Sequence, residues 1–390
     1  MHPARVYYFY RFAFNLGFSI VFVTYSLFLK AQGFSLSKIV IVNACFLATA
    51  VLMELPTGML ADGRGRAWSL KMGLVFVSIA AGSYAFARSF PAILVCEFIY
   101  GIGCAFFSGA EDAWITDALA TKGDQERLKH VLGTGLIFQQ LGLIVGSGIG
   151  VFVSRWGEHV PWLCSSVFLI VPLVWCAYRM NDIGESEHRL SEFRALSSSF
   201  RALIGSRPLL WMIAVDVTLG LGFFFNLFWS ISFEMRIGRV WLYAVWIVIQ
   251  CCYLVSGWLV RLFTPPISVE ASMISALVTA GIGLHILAAS ESFAVILASL
   301  IVNECARGAF QPYSKAYIQE RIESGYRATY GSLQSGLTGA VWVGMYLIGA
   351  ALIQGMTLTQ ASITLIWRVS AILLVVLSFV LWVMRPRVAS

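Results

Sequence analysis

The sequence is short of charge. Only 12% of its 390 residues are Asp, Glu, Lys or Arg, about half the share of a soluble globular chain. A water-facing surface is therefore excluded and lipid is the expected solvent. Nucleotide chemistry is missing too. No Gly-x-x-x-x-Gly-Lys-[Ser/Thr] run occurs and no polar stretch could hold a nucleotide domain, which excludes a self-powered pump. The eight cysteines (Cys45, Cys96, Cys104, Cys164, Cys176, Cys251, Cys252, Cys305) lie in apolar runs without CxxC or zinc-finger spacing. They read as small apolar filler. The five histidines, His2, His130, His159, His188 and His285, are scattered without HExxH or a comparable cluster. That argues against a membrane-embedded enzyme such as an acyltransferase, and neither metal nor other cofactor is expected. A cleavable signal peptide is not expected either, because Met1 to Arg11 lead into an apolar run too long for one.

Apolar sequence is what the chain has in abundance, at 59% of its residues. A membrane-crossing helix needs about 20 mostly apolar residues. On that scale spans are predicted near 10–30, 39–61, 68–88, 91–117, 130–154 and 159–179, then near 207–234, 239–262, 268–289, 292–317, 327–353 and 359–384. With the N-terminus inside, 18 of the 27 Lys and Arg fall on the inner side and seven on the outer, while Arg307 and Lys315 sit within span 10. The positive-inside rule then puts both termini and the central connector in the cytoplasm. The net charge of +7 marks topology and is not read as a nucleic-acid surface.

The longest polar stretch runs from Asn181 to Arg207. Within it Phe193, Leu196, Phe200 and Leu203 recur at helical spacing among Glu192, Arg194 and Arg201, which predicts an amphipathic helix on the cytoplasmic interface. The connector divides the chain into a six-helix half at 1–180, a linker at 181–206 and a second six-helix half at 207–390. The halves resemble each other internally. Span 4 ends Cys104-Ala105-Phe106 … Asp112-Ala113-Trp114-Ile115-Thr116-Asp117, and span 10 ends Gly308-Ala309-Phe310 … Lys315-Ala316-Tyr317-Ile318-Gln319-Glu320. Fused repeats of this kind are a transporter architecture.

The loop after span 2 reads Gly58-Met59-Leu60-Ala61-Asp62-Gly63-Arg64-Gly65-Arg66, preceded by Glu54-Leu55-Pro56-Thr57. It resembles the signature loop of the major facilitator superfamily between spans 2 and 3, although Gly63 and Ala67 stand where that family has basic residues. The resemblance implies an all-α membrane fold of twelve transmembrane helices in two pseudo-symmetric six-helix halves. It also implies a conformational latch made by Asp62, Arg66 and Asp117, weakened here by the two missing basic positions. In span 4, Glu97-Phe98-Ile99-Tyr100-Gly101-Ile102-Gly103 carries glutamate where many members have arginine. Span 5 holds Gly142, Gly146, Ser147, Gly148 and Gly150, which resemble the family's glycine-rich antiporter signature without its proline; glycines so spaced also let helices pack closely.

A charge deep in a membrane helix is costly and usually lines a cavity. In span 10, Glu304, Arg307, Gln311 and Lys315 recur at spacings of three, four and four, on one helix face. In span 4, Glu97, Cys104, Ser108 and Glu111 form one stripe with Asp112 beside it. Asp216 is an isolated acid in span 7, and a lone buried carboxylate can bind and release a proton. These eight, Glu97, Glu111, Asp112, Asp216, Glu304, Arg307, Gln311 and Lys315, are the expected substrate- and proton-binding residues. Asn15, Gln139, Gln140 and Gln250 are additional hydrogen-bonding candidates. His285 is expected to have a satisfied structural role.

Five acids against two bases, with Tyr25, Phe223, Phe224 and Trp229 of spans 1 and 7 expected to reach the cavity, favour cationic or zwitterionic amphiphiles through charge and cation–π attraction. The expectation is a monomeric secondary transporter of the bacterial inner membrane that moves a small molecule by alternating access. Its partners would be substrate, protons and membrane lipid. Proton-coupled efflux of a drug or a metabolite such as a siderophore is the leading reading. Proton-coupled uptake is the first alternative, and a non-transporting receptor or sensor on the same fold is the alternative of another class.

Overall fold

The computed structural model describes residues 1–182, 206–262, 267–321 and 327–386. Most of the connector, with its predicted amphipathic helix, lies outside the described residues. Among the described residues all regular structure is helical. Eleven stretches are long and apolar enough to cross a membrane. The twelfth span is the first, divided into two helices too short to qualify singly, Pro3–Ser19 and Tyr25–Ala31.

Local sequence explains where these helices start and stop. Ser35, Ser89, Ser268 and Thr359 cap spans 2, 4, 9 and 12, each side chain accepting an N–H three residues on. Spans 1, 4, 6 and 7 open with proline in the first turn, where no N–H is needed. Span 2, Leu36–Arg64, and span 3, Arg66–Phe86, share a single linking residue, Gly65, with φ at 104°. A side chain there would be strained and would also strike Asp182.

Among the described residues three spans are broken. Span 1 breaks at Ile20–Thr24, a stretch rich in β-branched residues whose backbone bonds shorten to i+3 (Phe22 N to Ser19 O, 3.0 Å; Thr24 N to Val21 O, 3.1 Å). Span 7 breaks at a 3-10 turn, Gly220–Gly222, between Arg207–Leu219 and Phe223–Ile237. Span 4 is not the continuous helix expected. It ends at Phe107 and restarts as Ala110–Ala120 after Gly109, whose φ of 70° is left-handed. The proposed stripe from Glu97 to Glu111 is therefore interrupted. Ser108 at the break donates to Glu54 of span 2 (3.1 Å), and Glu111 and Asp112 fall in the first turn of the new helix, where its dipole favours acids.

The chain packs as two compact units. The first comprises Met1–Glu187, Arg239–Tyr243 and Tyr346–Gly355; the second comprises His188–Gly238, Ala244–Met345 and Met356–Ser390. In the first unit span 5, Leu128–Val153, lies directly on the backbone of span 1. A Cβ on Gly142, Gly146 or Gly150 would meet the carbonyls of Phe12, Leu16 and Ile20 respectively. Ser147 also donates to the Ser19 carbonyl (3.1 Å) and Ser19 to the Leu143 carbonyl (3.1 Å). The glycine run thus serves helix packing. In the second unit Trp211, Met212, Val215, Met273, Leu277, Phe310 and Leu374 join spans 7, 9, 10 and 12 in one core. Indole N–H groups tie helices to carbonyls in both units, as in Trp175 to Val6 (3.2 Å) and Trp211 to Leu381 (2.8 Å).

Candidate substrate and proton sites

In the first unit the intramembrane acids fall into two separate groups. Glu97 is 3% exposed. Its Oε1 accepts from the Tyr25 hydroxyl (2.6 Å), delivered by the restart of span 1, and from the Tyr84 hydroxyl near the end of span 3. Tyr84 stacks on Trp162 (3.9 Å between centroids, 7° between planes), and Phe28 and Tyr100 meet Trp162 edge-on. Two buried donors of this aromatic box, Tyr100 Oη and Trp162 Nε1, have no hydrogen-bond partner. Among the described residues no cation pairs with Glu97.

Glu111 and Asp112 form the second group, at the restart of span 4. Glu111 pairs with Arg11 and accepts from Tyr10 (2.9 Å); Asp112 accepts from Tyr7 (2.9 Å). The Arg11 guanidinium also lies over the Tyr7 ring, 5.4 Å from its centroid. Both side chains of the ion pair are largely buried, at 12% and 11% exposure. In the sequence Arg11 reads only as one of the 18 inner-side basic residues. Its spacing with Tyr7 (i, i+4) puts the two on one face and is the signal that could have joined them. Asn15 is satisfied by its own helix, donating to the Arg11 carbonyl (2.7 Å).

In the second unit the span-10 stripe also divides. Glu304 and Arg307, both nearly inaccessible, form an ion pair at 2.9 Å. Arg307 also donates to Asn226 of span 7 (3.0 Å) and lies over Phe223 (5.5 Å), just past the Gly220–Gly222 turn. Phe223 meets Trp342 edge-on at 4.7 Å, and a side chain on Gly220 would collide with that indole. Gln311 and Lys315, further along span 10, are exposed. Asp216 accepts from Gln334 of span 11, a neutral partner that the sequence reading missed. His285 leaves its buried Nδ1 without a partner, so the expected satisfied role does not hold.

The signature loop is held locally. Arg66 pairs with Asp62 one turn earlier (2.8 Å), and the Arg66 charge acts on Asp117. Asp182, just after span 6, caps span 3 by accepting from Ala67 N (2.7 Å) and Trp68 N (3.3 Å), while Trp114 donates to the Asn181 carbonyl (3.1 Å). Ala67 is fully buried under this cap. That is the physical reason a long basic side chain does not fit there.

Residues 7–344 match the family model described as Major Facilitator Superfamily. The chain belongs to that family. That family is one of membrane transporters rather than enzymes. "Multidrug resistance protein 1" of Bacillus subtilis (strain 168) is 21% identical to this facilitator over 186 residues, 47% of this chain and 46% of that protein. "Quinolone resistance protein NorA" of Staphylococcus aureus (strain MSSA476) is 22% identical over 217 residues, 56% of this chain and 54% of its own length. The chain thus spans about half the length of the curated relatives it matches. The crystal structure of the nucleoside transporter NupG superposes with a TM-score of 0.84 at 14% identity and covers 100% of both chains. That of the D-xylose-proton symporter gives 0.75 at 13% identity, covering 98% of this chain and 97% of the other. At such identities the agreement establishes the twelve-helix facilitator fold.

Proposed function

We propose that this facilitator exports a cationic or zwitterionic amphiphile in exchange for protons, by alternating access, with Glu97 as the proton carrier of its first half. The observation that carries this reading is the set of partners around Glu97. Glu111 and Glu304 each face an arginine, whereas Glu97 is buried among phenols and indole. A proton arriving at Glu97 discharges a lone carboxylate, while one arriving at the paired acids would strand a buried cation. Asp216, held by the neutral Gln334, is the corresponding candidate in the second half. The paired groups, with Asp112, Gln311 and Lys315, are proposed to lie along the substrate path, where a charged cargo competes for them. Asp62, Arg66 and Asp117 are proposed to act as the cytoplasmic latch.

Efflux is favoured over uptake because the curated relatives bear names of multidrug and quinolone resistance. The carrier is proposed to be a monomer of the bacterial inner membrane, and its basic inner loops support cytoplasmic termini. The test is transport of a lipophilic cation, tetraphenylphosphonium, into proteoliposomes under an imposed pH gradient. Glu97→Gln is expected to abolish gradient-driven accumulation while exchange of labelled for unlabelled cation continues. Gradient-driven accumulation by Glu97→Gln at the wild-type rate would overturn the assignment.

A further inference from the structure

Span 12, Gln360–Val383, contains a single charged residue, Arg368. It lies eight residues past Gln360, about 12 Å down the helix at 1.5 Å per residue. Leu365, Arg368, Val369 and Ile372 recur at i, i+3, i+4 and i+7 and share one helix face. The three apolar members are about half exposed, at 53%, 48% and 52%. A guanidinium therefore emerges from an exposed apolar face of a membrane-spanning helix. It makes no hydrogen bond or ion pair among the described residues. Such a charge in a bilayer is met by a group of opposite sign, by backbone carbonyls or by snorkelling to the polar interface, and here the cleft it borders offers room for the first.

Arg368 borders a cleft of about 460 Å³ that lies wholly within the second unit, at the bundle end where span 7 finishes and span 12 begins. Arg236, Ser290, Glu291, Gln360 and Thr364 also line it. Arg236 is fixed by the protein itself: it donates to the carbonyls of Leu287 (3.1 Å) and Ser290 (3.4 Å), and its charge is countered by Glu291. With one carboxylate against two guanidinium groups, the cleft keeps one positive charge in excess, and Arg368 is the group with donors to spare. Polar groups crowd the end of the bundle, and apolar side chains continue down the helix from Arg368. That is the layout of a phospholipid, with head at the interface and chain along the span.

We propose that this cleft binds an anionic phospholipid, its phosphate held by Arg368 beside Arg236 and an acyl chain lying along Val369 and Ile372. A planar guanidinium suits a phosphate because it donates two parallel hydrogen bonds. In the orientation given by the basic loops, the lipid comes from the outer leaflet. The assignment concerns a site apart from the transport residues and stands whether or not Glu97 carries protons.

Native mass spectrometry of the purified full chain, titrated with phosphatidylglycerol or phosphatidylcholine, tests it. Wild type is expected to retain one phosphatidylglycerol in preference to phosphatidylcholine, and Arg368→Gln to bind it about ten- to a hundred-fold more weakly. Arg155→Gln, at the turn between spans 5 and 6, should match wild type. If Arg368→Gln cannot be purified, Arg368→Lys carries the test, because it keeps the charge and loses the fork; several-fold weaker retention is expected. Equal retention of the two lipids by wild type, or of phosphatidylglycerol by wild type and the Arg368 variant, would overturn the proposal. Displacement of the lipid by millimolar inorganic phosphate would overturn it as well, by assigning the cleft to a free anion.

Discussion

Tyr25 of span 1 and Tyr84 of span 3 donate to the same oxygen of Glu97. Replacing Tyr84 by Phe removes one donor and leaves its stack on Trp162 intact, so the fold should survive while the proton site changes. The expected outcome is a shifted pH profile of tetraphenylphosphonium transport with a thermal midpoint within a few degrees of wild type; an unchanged profile would count against the phenols as partners in proton exchange. Arg11 makes the contrasting case. Arg11→Ala leaves Glu111 buried without its cation, a loss of about 3 kcal/mol or more, read as a lower unfolding temperature in detergent. Adding Glu111→Gln to Arg11→Ala should recover part of that loss, because the stranded charge is then gone. The acids themselves were legible in the sequence, but their partners mostly were not. Glu97 stands out there as an acid replacing the family's arginine, but its phenols lie 72 and 13 positions away, and the helix rotations that bring them together leave no local pattern.

The three breaks are what the span-by-span reading missed. Twelve apolar stretches separated by basic or capped turns are plain in the sequence because bilayer thickness sets their length. Whether a stretch stays helical throughout depends on single residues. Ser108-Gly109 and Gly220-Leu221-Gly222 offer turn chemistry inside runs otherwise long enough to cross as one helix, and Ile20–Thr24 offers only stiff β-branched side chains. Gly109→Ala should cost about 1–2 kcal/mol for the left-handed φ alone and should slow transport if the restart positions Glu111. Span 5 gives a cleaner element-scale test. Gly150→Ala puts a methyl onto the Ile20 carbonyl and should destabilise by about 1–3 kcal/mol. Gly133→Ala, in the same helix with open space around it, should be neutral or stabilising. Equal unfolding temperatures for the two variants would refute the backbone-to-backbone packing of spans 1 and 5.

For the whole molecule, a facilitator fold shared with proteins at 13–14% identity shows how little of the sequence the architecture requires. The orientation proposed from the basic loops can be checked directly. In a variant with all eight cysteines replaced, a single cysteine at Arg64 should resist a membrane-impermeant maleimide added to intact cells, and one at Arg88 should react; the reverse pattern would invert the topology. The cap that Asp182 places on span 3 bears on how the molecule is made. Span 3 leaves the ribosome long before the residue that satisfies its first amides, and at about 5–20 residues per second the interval between Ala67 and Asp182 is roughly 6–23 s. Until then the helix start is uncapped, and the turn at Gly65 lacks the Asp182 side chain that packs against it. A released fragment ending at residue 180 should expose that turn to protease, and one ending a few residues past Asp182 should protect it. The first half of this carrier would thus reach its finished form at a defined moment of synthesis, just before the second half begins to emerge.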